Sequence, residues 1–272
     1  MEQHARAKGM NDKILTLFSV LLLAATVGVM SWYDMHPPSR DTGKEINIIT
    51  GYYAGPDAAA AMIPNDDLPV TIAQGEFKYT AEGKTEFIHR GMPPATFAQR
   101  QLNLLLRFDA LPKKPEETFA KIKALIDDWA YQGNIVAVIF LDYRPKNPDF
   151  NAYSKFMKGL KKYFLANSHL LIPVADASWF EDRQKAGRQL LRKDTPFFLV
   201  ELNKPELPAG LLQKLENSGY GFQFKLPPEA LSSNFDGKAL KKSGLFGGGM
   251  LALGPHQNLF KQEPKIGIFP RL

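Results

Sequence analysis

The 272-residue chain contains no cysteine. That absence excludes disulfides, thiolate nucleophiles and cysteine-ligated metals, so an exported domain of this chain has to be held by its core alone. Histidine is scarce too: His4, His36, His89, His169 and His256 show no metal-ligand spacing, and no His-Glu-x-x-His occurs. There is no Gly-x-Ser-x-Gly nucleophile elbow. Gly247, Gly248 and Gly249 are followed by the apolar run 250–253 rather than a helix start, so the strand–loop–helix setting of a phosphate loop is missing. The expectation is neither a metal nor a cofactor. Glycines on a last strand instead point to close packing or room in a cleft. No Pro/Ser/Gly-rich linker interrupts the chain after residue 45, which predicts one domain over 46–272.

Charge is also missing from one stretch. Residues 14–33 hold 20 consecutive positions without a charged side chain, long enough to cross a bilayer as a helix. Trp32 and Tyr33 end it, where amphipathic aromatics prefer the interface, and Arg6, Lys8 and Lys13 precede it. By the positive-inside rule residues 1–13 stay in the cytoplasm and the remainder is exported. The competing reading is a cleaved signal peptide with its site near Val29, Met30 and Ser31, but the apolar core is long for a signal of about 7–15 residues. The expectation is an uncleaved signal-anchor at 14–33, a tether at 34–45, and a periplasmic domain held at the inner membrane. Of the formal net charge of +6, +1 falls on the first thirteen residues and +5 on the exported part. Such a surplus suits acidic glycans or lipid headgroups, or is a solvated face. No basic–aromatic cluster calls for nucleic acid.

What the chain has in abundance is uninterrupted apolar runs that end in charge. Residues 135–141 are entirely apolar and lead into Asp142, Tyr143 and Arg144. A run without polar alternation suits a strand buried on both faces, hence a parallel sheet. The rhythm recurs: strands are predicted at 46–53, 70–77, 102–109, 135–142, 170–176, 195–202, 221–226 and 245–253. Helices are predicted at 115–129, 151–164, 182–192, 209–217 and 231–242. About eight parallel strands alternating with helices predict a (β/α)8 TIM-like barrel, with an open α/β sheet as the alternative.

Such folds carry their chemistry just past the C-terminal strand ends. The polar residues predicted there are Tyr52, Tyr53, Glu76, Arg107, Asp109, Asp142, Tyr143, Arg144, Asp176, Trp179, Glu201, Asn203 and Lys225. Paired carboxylates, aromatic platforms and a few cations suit a carbohydrate site. Asp142, Asp109, Asp176 and Glu201 are the candidate catalytic groups, and Tyr52, Tyr53, Arg107, Tyr143, Arg144, Trp179 and Lys225 the candidate substrate contacts. The bland reading is that Asp109 and Asp142 cap helices or pair with Arg107 and Arg144, and that Trp179 closes the barrel.

Several segments bear a likeness in order: Ile139-Phe140-Leu141-Asp142-Tyr143; Phe150-Asn151-Ala152-Tyr153 opening a helix; Leu171-Ile172-Pro173 through Ala177-Ser178-Trp179; Phe198 to Leu202; and Gly221 to Pro227. Over residues 100–230 the chain resembles uncharacterised bacterial glycoside-hydrolase-like barrels, distantly related to the family-18 chitinases. The resemblance implies an eight-stranded barrel whose fourth strand carries the acidic motif, written Asp-x-x-Asp-x-Asp-x-Glu in chitinases. With the last Asp aligned on Asp142, Arg144 stands where the acid should be, and Phe140 and Ala137 where the earlier aspartates should be. A guanidinium does not give up a proton near neutral pH, so chitinase chemistry by the standard route is not expected. Two expectations remain: a membrane-anchored barrel that processes an envelope polysaccharide with relocated carboxylates, or a catalytically silent barrel that binds glycan or scaffolds an envelope protein assembly.

Overall fold

The computed structural model describes residues 48–80, 82–97, 101–145, 147–164, 169–181, 191, 195, 197–204, 206–231 and 237–253. The expected anchor at 14–33, the tether, and the helix at 182–192 apart from Leu191 lie outside the described residues. No helix among the described residues is long and apolar enough to cross a membrane.

Eight parallel strands close on themselves: β1 (Ile49–Ala54), β2 (Val70–Tyr79), β4 (Gln101–Phe108), β5 (Ile135–Tyr143), β6 (Leu170–Ala175), β7 (Phe197–Glu201), β8 (Gly221–Leu226) and β9 (Phe246–Leu253). β1 pairs with β9 on one edge and with β2 on the other, Tyr52 opposite Val70 and Tyr53 opposite Thr71, which completes the ring. The predicted strands match these in position. The ninth strand, β3 (Thr85–His89), runs antiparallel to the second half of β2 and extends that strand past the ring as a hairpin. The sequence reading left this strand out. Both β2–β4 and β2–β3 pair at Gly75, where the β2–β4 register shifts. A Cβ there would lie 2.2 Å from the Ile88 carbonyl oxygen, so only glycine lets the hairpin close.

Two apolar layers follow from the alternation of side chains along each strand. Inside the ring sit Tyr53, Ala73, Leu105, Phe140, Ile172, Val174, Leu199 and Met250, so the barrel is filled rather than a pore. Outside, the opposite side chains meet the helices in one larger core. Helix α1 (Pro115–Tyr131) starts with proline, has Glu116 and Glu117 in its first turn, and buries Phe119, Ile122, Leu125, Ile126 and Trp129. Helix α2 (Phe150–Tyr163) is capped by Asp149, whose side chain accepts from the backbone N–H groups of Asn151 and Ala152, and buries Tyr153, Phe156, Met157 and Leu160. Helix α3 (Leu211–Ser218) ends at left-handed Gly219. Of the helix expected at 231–242, helix α4 (Gly237–Lys242) is described, Leu231 ends a separate 3₁₀ turn (Pro228–Leu231), and residues 232–236 lie outside the described residues. The glycines of β9 serve close packing: a Cβ on Gly249 would meet Leu226 at 2.6 Å, and one on Gly247 the Phe197 ring at 2.6 Å.

Candidate active site at the strand C-terminal mouth

The alternation that fills the barrel decides which strand-end residues face its mouth. Arg107 and Asp142 are register partners on β4 and β5, as are Glu201 and Lys225 on β7 and β8. Leu105, Phe140 and Leu199, each two residues earlier, lie in the inner layer, so Arg107, Asp142 and Glu201 continue it upward. Arg144, two past Asp142, joins them.

Asp142, Arg144, Glu201 and Lys225 form one connected chain of charge, while Arg107 pairs outside it with Asp109. Arg144 Nε donates to Asp142 Oδ1 at 2.5 Å, and its terminal nitrogen pairs with Glu201 Oε2. Lys225 Nζ donates to Glu201 Oε1 at 2.5 Å and lies 3.9 Å over the Tyr53 ring. Both Glu201 oxygens are thus occupied by cations. Burial pushes the Glu201 carboxyl up, but Lys225 and Arg144 together outweigh it and hold it below the usual value. At Asp142 the balance falls the other way: burial dominates, exceeds the pull of Arg144, and leaves the carboxyl raised. Burial also works against the charge on Arg144, yet the flanking Asp142 and Glu201 keep it a firm cation. The Tyr53 phenol is raised by burial against the pull of Lys225.

The other expected residues lie elsewhere. Tyr52 points to the outer layer, where its hydroxyl donates to Asp66 at 2.6 Å. Tyr143 is buried in the outer core, its ring 4.9 Å from that of Tyr153. Trp179 is buried too, edge-on to Phe150, Tyr153 and Phe198, so it closes the outer layer. The reason is common to Tyr52 and Tyr143: each is the immediate chain neighbour of an inward residue, and adjacent strand residues face opposite ways. Asp109 is exposed and pairs with Arg107 at 3.4 Å. Asp176 caps the 3₁₀ turn Ala177–Phe180, accepting from the Ser178 N–H at 2.7 Å. Neither carboxylate joins the buried network. Glu76, the register partner of Arg107, is bound instead by Arg90 at 3.0 Å and Lys78 at 3.2 Å. Its carboxyl is lowered chiefly by the Arg90 hydrogen bond.

Beside Glu201, past the ends of β6 and β7, opens a cleft of about 580 Å³. Asp176, Ser178, Glu201, Asn203, Leu207 and Pro208 are among its walls. Glu201 therefore belongs both to the charge network and to the cleft. Ser178, Leu207 and Pro208 were not singled out from the sequence as contacts, because the cleft is made by loops whose course no periodicity encodes. Acid–base cleavage of a glycosidic bond needs one protonated and one ionised carboxyl on either side of the bond. Here the two buried carboxylates share one guanidinium. Comparison of the chain with family models, with curated proteins and with solved structures finds no match.

Proposed function

We propose that this chain is a glycoside-hydrolase-like barrel that binds an envelope polysaccharide at its C-terminal mouth without cleaving it. In this reading it is held at the inner membrane by residues 14–33, and its barrel faces the periplasm. The observation that carries the non-hydrolytic part is the Asp142–Arg144–Glu201–Lys225 chain. A carboxylate whose two oxygens are both held by cations is a poor nucleophile or base, and an aspartate hydrogen-bonded to a permanent guanidinium is a poor proton donor. Arg144 stands at the acid position of the chitinase pattern and ties down the carboxylates that could have replaced it. The glycan part rests on the resemblance over residues 100–230 and on the cleft beside Glu201. Ser178, Asn203 and Glu201 offer it hydroxyl, amide and carboxylate partners for sugar hydroxyls. Stacking contributes less than the sequence suggested, since Tyr143 and Trp179 face the outer core.

One observation favours a second reading, a hydrolase. Asp142 is raised and Glu201 lowered, the direction of split that separates an acid from a nucleophile.

The test of binding is titration of the full chain in nanodiscs with fluorescently labelled soluble peptidoglycan fragments and a panel of bacterial polysaccharides. Saturable binding that weakens several-fold in Asn203→Ala and in Ser178→Ala, with unchanged thermal melting, is the expected result. No binding across the panel would overturn the glycan reading and leave an envelope protein as the partner.

A further inference from the structure

Charge in the mouth is matched from strand to strand, with one cation left over. Register places Arg107 on β4 directly between two carboxylates, Glu76 on β2 and Asp142 on β5. Both already have other cations. Glu76 is held by Arg90 at 3.0 Å and Lys78 at 3.2 Å, and Asp142 by Arg144 at 2.5 Å. Arg107 turns to Asp109 instead, through Nε alone and at 3.4 Å. Its two terminal nitrogens make no hydrogen bond or ion pair among the described residues.

What separates Arg107 from an ordinary surface arginine is its place. It lies two residues past Leu105, a member of the inner layer, so it continues the barrel interior upward rather than facing the helices. It is near enough to Asp142 to add to the pull of Arg144 on that carboxyl. Its side chain is 48 % exposed, so the guanidinium meets solvent in the mouth. The pair with Asp109 is no obstacle, because both side chains are about half exposed and a long ion pair in water holds little. The further acid of this sector, exposed Glu86, stands opposite Lys78, two register positions beyond Glu76.

A planar guanidinium with both terminal nitrogens open is a fork for two oxygens of one anion. A sugar hydroxyl offers that fork a single neutral oxygen, whereas a carboxylate or phosphate offers two with the opposite charge. The cleft beside Glu201 begins at Asp176, just past the end of β6. Strands β4 and β6 are two strand spacings apart, about 10 Å, with Asp142 and Arg144 between them. An oligosaccharide seated in the cleft is long enough to reach Arg107 across the mouth.

We propose that Arg107 is the anion subsite of the mouth. Its terminal nitrogens take a carboxylate or phosphate group carried by the bound glycan, which makes the ligand an acidic polysaccharide. The proposal rests on the reading of the mouth as a glycan site and goes beyond it by naming the charge of the ligand.

The test is calorimetric titration of the full chain in nanodiscs with two matched ligand pairs. Oligogalacturonate against its methyl ester isolates the carboxylate, and pentamannose monophosphate against pentamannose isolates the phosphate. The acidic member of at least one pair should bind about 10- to 100-fold tighter than its neutral partner, the worth of a charge-assisted bidentate contact. A gap in the first pair alone assigns a carboxylate, and in the second alone a phosphate. Arg107→Gln should bring the acidic member down to the affinity of its neutral partner, with little change in thermal melting. Arg107→Lys, which keeps the charge and loses the fork, should restore part of the gap. Neutral members that bind as tightly as the acidic ones would overturn the subsite and leave the glycan reading standing. A gap that survives Arg107→Gln would overturn the assignment to Arg107. No binding by any of the four, nor by the wider polysaccharide panel, would overturn both readings.

Discussion

Replacing Arg144 with methionine removes the cation that joins the two buried carboxylates, and the consequences can be worked out from its surroundings. The Asp142 side chain is 7 % exposed, Glu201 14 % and Arg144 29 %. Removing one partner of a fully buried pair costs about 3–5 kcal/mol. Arg144 is partly solvated and Glu201 keeps Lys225, which brings the expectation to about 2–3 kcal/mol at pH 7. With a urea slope of about 2–3 kcal/mol/M, the unfolding midpoint should fall by about 1 M. The sign of the pH dependence follows from Asp142. Its folded carboxyl is raised above the ordinary value, so the folded state holds that proton more tightly than the unfolded one. Its contribution to stability is therefore best at acid pH and is lost as pH rises through the interval between the two values. Without Arg144 that interval widens upward. Glu201 behaves oppositely: its lowered carboxyl stabilises the fold above the ordinary carboxylate range, and that gain fades on acidification. Both effects make the variant's deficit largest at neutral pH and smaller near pH 4.5. Urea titration followed by tryptophan fluorescence at the two pH values reads this directly. Asp142→Asn/Arg144→Met should recover most of the loss, because the orphaned charge is gone. A midpoint that moves little at pH 7, or a deficit equal at both pH values, would refute the reasoning.

Three further expectations concern the scaffold. Trp129→Phe removes the indole donor to Gln74 Oε1, a buried 2.9 Å bond, and should cost about 1–3 kcal/mol by urea unfolding. Asp149→Ala deletes the α2 cap and should cost about 1 kcal/mol, while Asp149→Asn or Asp149→Ser restores most of it. Gly248→Ala places a side chain at φ +109° and its Cβ 2.3 Å from Thr50, so it should lose about 1–3 kcal/mol from backbone conformation alone and more from the clash, seen as a lower melting temperature.

The barrel strands were legible because a parallel strand covered on both faces is apolar almost throughout, as 135–141 is and as 102–106 is but for Asn103. The hairpin strand β3 was not, because Thr85–His89 is short, partly exposed and polar at several positions, and is fixed by pairing with distant β2. For the mouth, position along the chain was readable but facing was not fully used. Tyr52 with Tyr53, and Asp142 with Tyr143, were read as joint contacts, although the two-residue repeat lets only one of each pair look inward. The bulges that shift register at Gly75 and between Leu102 and Asn103 show why counting from one strand to the next does not fix the facing. The pairing of Arg144 with Glu201, 57 residues apart, lives only in the closed ring.

The central claim is that the mouth holds a glycan without cutting it. Its most direct test is prolonged incubation of the full chain with the polysaccharides it binds, measuring reducing-end release beside bound fraction. Retained binding with no release above a protein-free blank is the result expected. Release that disappears in Asp142→Asn or Glu201→Gln would contradict it and make the two carboxylates a working acid–base pair despite Arg144.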